Sequence, residues 1–132
     1  MDLSDFKTNR KLEEEGTWVE VGNGTQLKLA RLGNSAYRNH LKILMKPYKA
    51  MIRNNTLSDE VVEELLNKAI AKSVLLGWSG LEENGEPVPY SEERAYQILS
   101  DPSYKDFREL VVSLASDMEV YQQEELEESA KN

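Results

Sequence analysis

The chain contains no cysteine and a single histidine, His40, among its 132 residues. Without cysteine it forms neither disulfides nor thiolate metal sites. One histidine leaves no partner for a histidine metal cluster and reduces the usual catalytic triads to whatever His40 can do alone. His40 lies between Arg38 and Lys42, two cations that disfavour its protonation. We therefore expect a surface or half-packed histidine, with no metal and no cofactor.

Long hydrophobic runs are missing as well. No apolar stretch approaches the roughly 18 residues of a membrane span, and the first residues have no hydrophobic signal region. We therefore expect a soluble intracellular protein. The apolar share of 39% is modest beside a charged share of 30%, but a chain of this length still buries enough surface for one core.

Acidic residues are absent between Glu20 and Asp59. Residues 1–56 carry ten Lys/Arg against six Asp/Glu, and residues 57–132 carry six against eighteen, so balances of +4 and −12 give the net charge of −8. Such a division favours oriented contacts with partners, although it carries no information about the fold.

A β-hairpin is predicted at residues 17–32. Alternating runs, predicted as strands 17–21 and 26–32, flank Asn23-Gly24, and both turn residues tolerate positive φ. Two strands alone are marginal in water, so the hairpin has to pack on helices or on another subunit. The polar residues 1–15 are expected to form a flexible arm or a short helix at 2–14.

Helix signals dominate the rest of the chain. Asn34 is placed to cap a helix that Pro47 should kink or break near Lys46, and its apolar stripe is Tyr37, Leu41, Leu44, Tyr48 and Ile52. Ser58 caps the next helix, whose stripe runs to Val74 and which Gly77 should end.

Residues 77–90 hold three glycines and two prolines and are predicted to be irregular. Ser91 then begins a short helix to about Leu99, and Asp101-Pro102 begins a last helix with an apolar stripe from Phe107 to Tyr121. The sequence thus predicts one small, predominantly α-helical α+β domain at residues 16–122, with the hairpin followed by about four helices. An acidic tail follows at 123–132.

Acidic pairs are the main candidates for catalysis. Neighbours on a helix point about 100° apart, so such a pair does not converge on one atom, and none has the spacing of a calcium loop. A hydrolase using paired carboxylates would need a cleft in which two acids meet. We expect solvated faces and no enzyme; the pairs are Glu63-Glu64, Glu82-Glu83, Glu92-Glu93 and Glu124-Glu125.

A row of cations is the most informative feature. Its spacing places all members on one helix face, which is either a phosphate-binding face, a seat for an acidic partner such as the C-terminal helix of a second copy, or a solvated face. The net charge of −8 disfavours nucleic acid. The residues of this row are Arg38, Lys42, Lys46, Lys49 and Arg53.

Aromatic residues form a second candidate surface. Trp78, Tyr90 and Tyr96 flank the Gly/Pro-rich loop, where they either form a recognition pocket or pin the loop to the core. Tyr121 closes the stripe of the last helix, which either packs within the domain or is offered in part to a partner.

The stretch from Leu76 to Tyr121 resembles the tail assembly chaperones of long-tailed, siphovirus-type bacteriophages. The order and spacing of several motifs carry this resemblance, and the hairpin and basic helix extend it over nearly the full length. The motifs are Gly77-Trp78, Asn84-Gly85, Pro87 to Ser91, Leu99-Ser100-Asp101-Pro102 and Phe107.

The resemblance implies a factor of the host cytoplasm, absent from the mature virion. Such a factor self-associates, coats the tape-measure protein and recruits tail-tube subunits. In that family a −1 frameshift often makes a longer form that meets the tube, and Ala130-Lys131-Asn132 is compatible with a slippery run of adenines. The main alternative is a small nucleic-acid-binding regulator using the basic helix at 34–53.

Overall fold

A three-stranded antiparallel sheet in the order β1-β2-β3 stands at the centre of the domain. Its strands are β1 (Thr17–Gly22), β2 (Thr25–Leu29) and β3 (Leu75–Ser79). The computed structural model describes residues 1–122, so the predicted acidic tail at 123–132 lies outside the described residues. The α+β, mainly helical fold is as predicted.

Six α-helices lie within residues 1–122. They are α1 (Arg10–Glu15), α2 (Ser35–Met45), α3 (Lys49–Arg53), α4 (Asp59–Ser73), α5 (Glu92–Ser100) and α6 (Lys105–Ala115). Short 3-10 turns lie at Leu3–Phe6, Lys46–Tyr48, Pro102–Tyr104 and Met118–Gln122.

The predicted hairpin is confirmed, with Asn23 at φ 54° and Gly24 at φ 76° in its turn. Its second strand ends at Leu29 and does not reach residue 32 as predicted. The reason is that the next three amides leave the sheet: Ala30 donates to the Val74 carbonyl, Arg31 to that of Glu13 and Leu32 to that of Ala115. Residues 30–32 are thereby hydrogen-bonded to the end of α4, to α1 and to the end of α6.

The prediction that α4 continues to a cap at Gly77 is wrong. The helix ends at Ser73, and the following residues form β3, which pairs Trp78 with Leu27 and Gly77 with Lys28. A hairpin with one bare apolar edge needs a third strand, and Leu75–Ser79 supplies it. The Trp18 ring lies over Gly77, where an added Cβ would be 3.5 Å from the ring, an ordinary van der Waals contact.

Residues 77–90 are also more regular than predicted. Beyond β3 they form a second small hairpin of β4 (Glu82–Glu83) and β5 (Glu86–Pro87). Its turn is Asn84-Gly85, with φ values of 53° and 81°. The same dipeptide signal that placed the first hairpin therefore operates here as well.

The predicted starts of α2, α4 and α5 are confirmed, whereas Asp101 caps the 3-10 turn Pro102–Tyr104 and α6 itself begins at Lys105. Asn34, Ser58, Ser91 and Asp101 each accept a hydrogen bond from a backbone amide of the first turn that they cap. Pro47 ends α2, and the 3-10 turn at Lys46–Tyr48 separates it from α3. The last predicted helix is shorter than expected, because α6 stops at Ala115 and Tyr121 lies in the 3-10 turn that follows.

The core lies between the sheet and helices α4, α5 and α6. Its buried members come from both, and they are Leu27, Leu29, Ile70, Ala71, Val74, Leu75, Trp78, Ala95, Ile98, Leu99, Val111 and Ala115. A second, smaller cluster joins Leu12 of α1 to Val120 and Tyr121. Of the two alternatives for residues 1–15, the structure has helical turns, and α1 is anchored by the Asn9 amide donating to the Tyr121 carbonyl at 2.7 Å.

Candidate functional site

Helices α2 and α3 differ from the other α-helices of the described chain because neither contains a buried residue. One side of α2 packs on α4. The other sides leave apolar side chains in solvent, with Ile43 56% and Ile52 44% exposed. Exposed large aliphatic side chains gathered on one element are typical of a contact surface.

A groove runs along these two helices. Its lining consists of three apolar residues, Leu41, Met45 and Ile52, which we call its floor, and of four cationic residues. We call it the cationic groove; its lining residues are Arg38, Leu41, Lys42, Met45, Lys46, Lys49 and Ile52.

The structure brings four of the five predicted cations together in this groove, whereas Arg53 does not line it. None of the five forms an ion pair within residues 1–122, where the ion pairs are Arg31–Glu13, Lys68–Glu64 and Arg94–Glu83. Four cations beside an apolar floor suit an amphipathic segment that carries carboxylates at its edges.

The apolar floor was hidden in the sequence because it lies within the predicted core stripe of this helix. That stripe divides in the folded protein. Tyr37 packs against the main core and Leu44 lines a cleft beside α4, whereas Leu41 and Ile52 face the groove. A single helix, α4, is too narrow to cover the whole stripe. Met45 follows Leu41 by four residues and therefore lies on the same helix face, and this spacing could have predicted an apolar surface beside the cations.

Trp78 and Tyr90 pin the 80–90 segment to the core. Their rings meet edge to face with centroids 4.8 Å apart. The Trp78 Nε1 donates to the Val88 carbonyl at 2.7 Å, and the Tyr90 hydroxyl donates to the Leu75 carbonyl at 2.8 Å. Trp78 is only 7% exposed. Of the two alternatives, a recognition pocket or attachment of the loop to the core, the geometry supports attachment to the core.

The remaining two aromatics also lie away from the cationic groove. Tyr121 is 0% exposed, and burial raises the pKa of its hydroxyl, which donates to the Leu29 carbonyl. It is therefore corrected from a candidate surface residue to a core residue, because the chain turns inward after α6. Tyr96 is partly buried beside Lys68, whose Nζ lies 6.0 Å from the ring centroid.

His40 is half-packed, as expected. Its pKa is lowered, first by burial and then by Lys72 of α4. The direction agrees with the sequence argument, although the responsible cation is Lys72 and not the neighbouring Arg38 or Lys42. The cleft beside it also contains Glu92 and Glu93.

The predicted acidic pairs have separate environments. Glu83 is held by Arg94 at 3.0 Å and by the Tyr104 hydroxyl, which raises the pKa of that hydroxyl. Glu63 and Glu64 line a second groove between α4 and α6. Within residues 1–122 no group of three or more histidine, aspartate or glutamate side chains is arranged to hold a metal ion.

The second groove contains a buried polar contact that the sequence did not reveal. Asn67 is buried, and its side-chain oxygen accepts from Arg108 Nε at 2.7 Å. This contact links α4 to α6 and serves packing. In the described part of the chain, no helix has the length and apolar character needed to cross a membrane.

Comparison with known proteins identifies the origin of the chain. No curated protein and no solved structure matches it. A family model described as YdaY prophage protein matches residues 32–132, which is more than half of the chain and includes both groove helices. The molecule is therefore a phage-derived protein. Within that class, the chain belongs to the YdaY prophage protein family.

Proposed function

We propose that this protein is a tail assembly chaperone of a long-tailed phage. It holds the tape-measure protein in soluble form and helps to recruit tail-tube subunits, the latter through a longer frameshifted form. Its prophage family supports a role in phage biology, and the ordered motifs from Gly77 to Phe107 support this particular role. The chain acts by binding other proteins and not as an enzyme.

The cationic groove is the observation that carries the proposal. A chaperone for long, partly apolar helices needs a surface that covers apolar side chains and still selects its client. Leu41, Met45 and Ile52 supply the apolar contact, and the surrounding lysines select acidic edges. The exposed Ile43 and Met51 on the same helices extend the apolar area.

The apolar floor also favours a protein client over nucleic acid. A phosphate-binding face needs cations backed by polar donors, and an aliphatic floor offers nothing to a phosphodiester backbone. The net charge of −8 adds long-range repulsion. The division between a basic front half and an acidic back half further supports self-association on the client.

Co-expression with a tape-measure protein from the same prophage tests the proposal. The tape-measure protein should be insoluble alone, and it should remain soluble and co-purify when this chain is present. The double variant Lys42→Glu and Lys46→Glu reverses two groove cations and should lower the co-purified amount at least tenfold.

The matched control is Lys7→Glu with Lys105→Glu. Both positions are exposed and outside the groove, and the variant has the same change in net charge. It should leave co-purification unchanged. An insoluble client in the presence of the wild-type chain, or equal loss in the two double variants, would refute the groove as the client site. Salt-sensitive binding of duplex DNA would instead favour the nucleic-acid alternative.

A further inference from the structure

We propose that the cationic groove of one copy of this chain binds the outer face of α6 of a second copy. That face consists of the exposed residues Asp106, Glu109, Leu110 and Ser113, and we call it the α6 ridge. The inference concerns the chain in the absence of any client. It rests on the geometry of the groove and not on the proposed function, so either can hold without the other.

The α6 ridge presents one leucine beside two carboxylates. Leu110 lies four residues after Asp106 and three before Ser113. Glu109 lies three residues after Asp106 and four before Ser113, and such spacings place side chains together on one helix surface. Leu110 is 38% exposed and is the only exposed large apolar side chain between residues 54 and 122. The ridge is therefore the amphipathic surface of the acidic half of the described chain.

The two ridge carboxylates are available to cations of another molecule. Among the ion pairs within residues 1–122, none includes Asp106 or Glu109. Two cations of the same helix, Lys105 and Arg108, line the second groove, whose edge is shared with Glu109. Arg108 is already engaged there, because its Nε donates to the Asn67 side-chain oxygen.

The cationic groove has the complementary arrangement. Its four cations form no ion pair within the described residues, and they lie beside an apolar floor. An amphipathic helix that lays its apolar residue into such a groove is a common mode of recognition. Leu110 then contacts Leu41 and Met45 of the floor, while the carboxylates meet Lys42 and Lys46. The apolar contact supplies affinity, and the charges fix the orientation.

The ridge in the groove has to belong to a second copy. No residue of α6 lines the groove, and α6 is held in place by Val111 and Ala115, which are buried in the core. Because the groove and the ridge are different patches, their contact is heterologous, and it can extend from copy to copy.

The association should be weak. One helix ridge in one groove buries well under the roughly 1,200–2,000 Å² of a stable interface, which places the contact in the transient class. Exposed ion pairs add little to it. A dilute sample of the chain is therefore monomeric, and its groove is open to a client.

Sedimentation velocity of the chain alone tests the inference. At about 0.05 M salt the charges are little screened, and the weight-average mass should rise at least 1.5-fold, on the order expected for a weak complex, between about 10 μM and 1 mM. The groove variant, Lys42→Glu with Lys46→Glu, and the ridge variant, Asp106→Lys with Glu109→Lys, should each remain monomeric, because like charges then face each other. Their equimolar mixture should associate as the wild type does, since the native groove of one variant meets the native ridge of the other.

The matched control is Glu60→Lys with Glu63→Lys. Both positions are exposed and line the second groove, and the variant has the same change in net charge as the ridge variant. It should associate like the wild type. A wild type that is monomeric at every concentration, a ridge variant that associates normally, or a control that loses association equally would overturn the inference. A mixture that stays monomeric would also overturn it, provided that circular dichroism shows both variants to be folded.

A disulfide between copies tests the contact itself, because the natural chain has no cysteine. Met45→Cys places a thiol on the groove floor, and Ser113→Cys places one on the ridge without altering Leu110. When the two single variants are mixed, one of them carrying a heavy-isotope label, mild oxidation should give more of the mixed disulfide than random collision does. The excess should fall at about 1 M salt, where the Debye length is roughly 3 Å. A mixed yield no higher than random would contradict the contact, and since no client is present, that result is distinct from a failure of the proposed function.

Discussion

Trp78→Phe separates the pinning role of this side chain from a recognition role. The variant loses the 2.7 Å hydrogen bond to the Val88 carbonyl, which contributes about 1 kcal/mol in a typical protein. The smaller ring also loses roughly 50 Å² of buried apolar surface, or about 1.2 kcal/mol at 25 cal/mol per Å². Together these losses predict a decrease of about 2 kcal/mol in the free energy of unfolding, with part of the contact to Tyr90 retained.

Urea unfolding followed by circular dichroism measures this decrease. Trp18→Phe is the matched control, because Trp18 is the only other tryptophan and is 46% exposed. It should cost under about 1 kcal/mol, as expected for a half-exposed ring. Equal effects of the two variants, or a Trp78 variant of wild-type stability, would refute the assignment of Trp78 to the core.

Three further predictions concern the fold. Asn34→Ala should lower the free energy of unfolding by about 1–3 kcal/mol, measured by thermal or urea unfolding. The variant loses the cap of α2 and the buried hydrogen bond in which the Asn34 side-chain amide donates to the Ser73 carbonyl at 2.9 Å. An unchanged stability would contradict the capping role of Asn34. Leu27→Ala, at a fully buried position between β1 and β3, should cost about 2–5 kcal/mol by the same assay, and a cost below that of the exposed Ile43→Ala would contradict this core. His40 is the only histidine, so its ring resonance can be followed by NMR without overlap. The pKa obtained from that titration should lie below the ordinary value of 6.5. The stability that depends on neutral His40 is then present above 6.5 and lost as the pH falls through the folded pKa, so His40→Gln should flatten the pH dependence in this range. A pKa at or above 6.5 would contradict the partial burial of His40 beside Lys72 of α4.

Local signals in the sequence were sufficient for the starts of α2, α4 and α5, for the 3-10 turn that precedes α6, and for the first hairpin. Asn34, Ser58, Ser91 and Asp101 cap through side chains that act within three residues, so no distant contact is needed to recognise them. Asn23-Gly24 is similar, because a turn with two positive φ values is set by its own two residues.

Non-local pairing explains what the sequence did not reveal. Val74 to Trp78 has the composition of a helix end as well as of a strand, and only the open edge of β2 decides in favour of the strand. The same limit applies to Tyr121, which is buried because residues 9–12 return to cover it. No periodicity in the last helix carries that information.

The candidate site shows the same division. The row of cations was visible from spacing alone, and four of its members line one groove. The apolar floor was not visible from spacing, because Leu41 and Ile52 have the spacing of a core stripe. Periodicity cannot distinguish an apolar stripe that a neighbouring helix covers from one that is left exposed. Only the position of α4 in the folded protein shows which part of the stripe is covered and which part is exposed.

Hydrogen exchange of the complex with the tape-measure protein tests the binding role of the groove most directly. The amides of residues 38–53 should become strongly protected in the complex relative to the free chain, while those of the second groove between α4 and α6 should change little. Unchanged exchange at 38–53 in a complex that nevertheless forms, with protection elsewhere, would contradict the account.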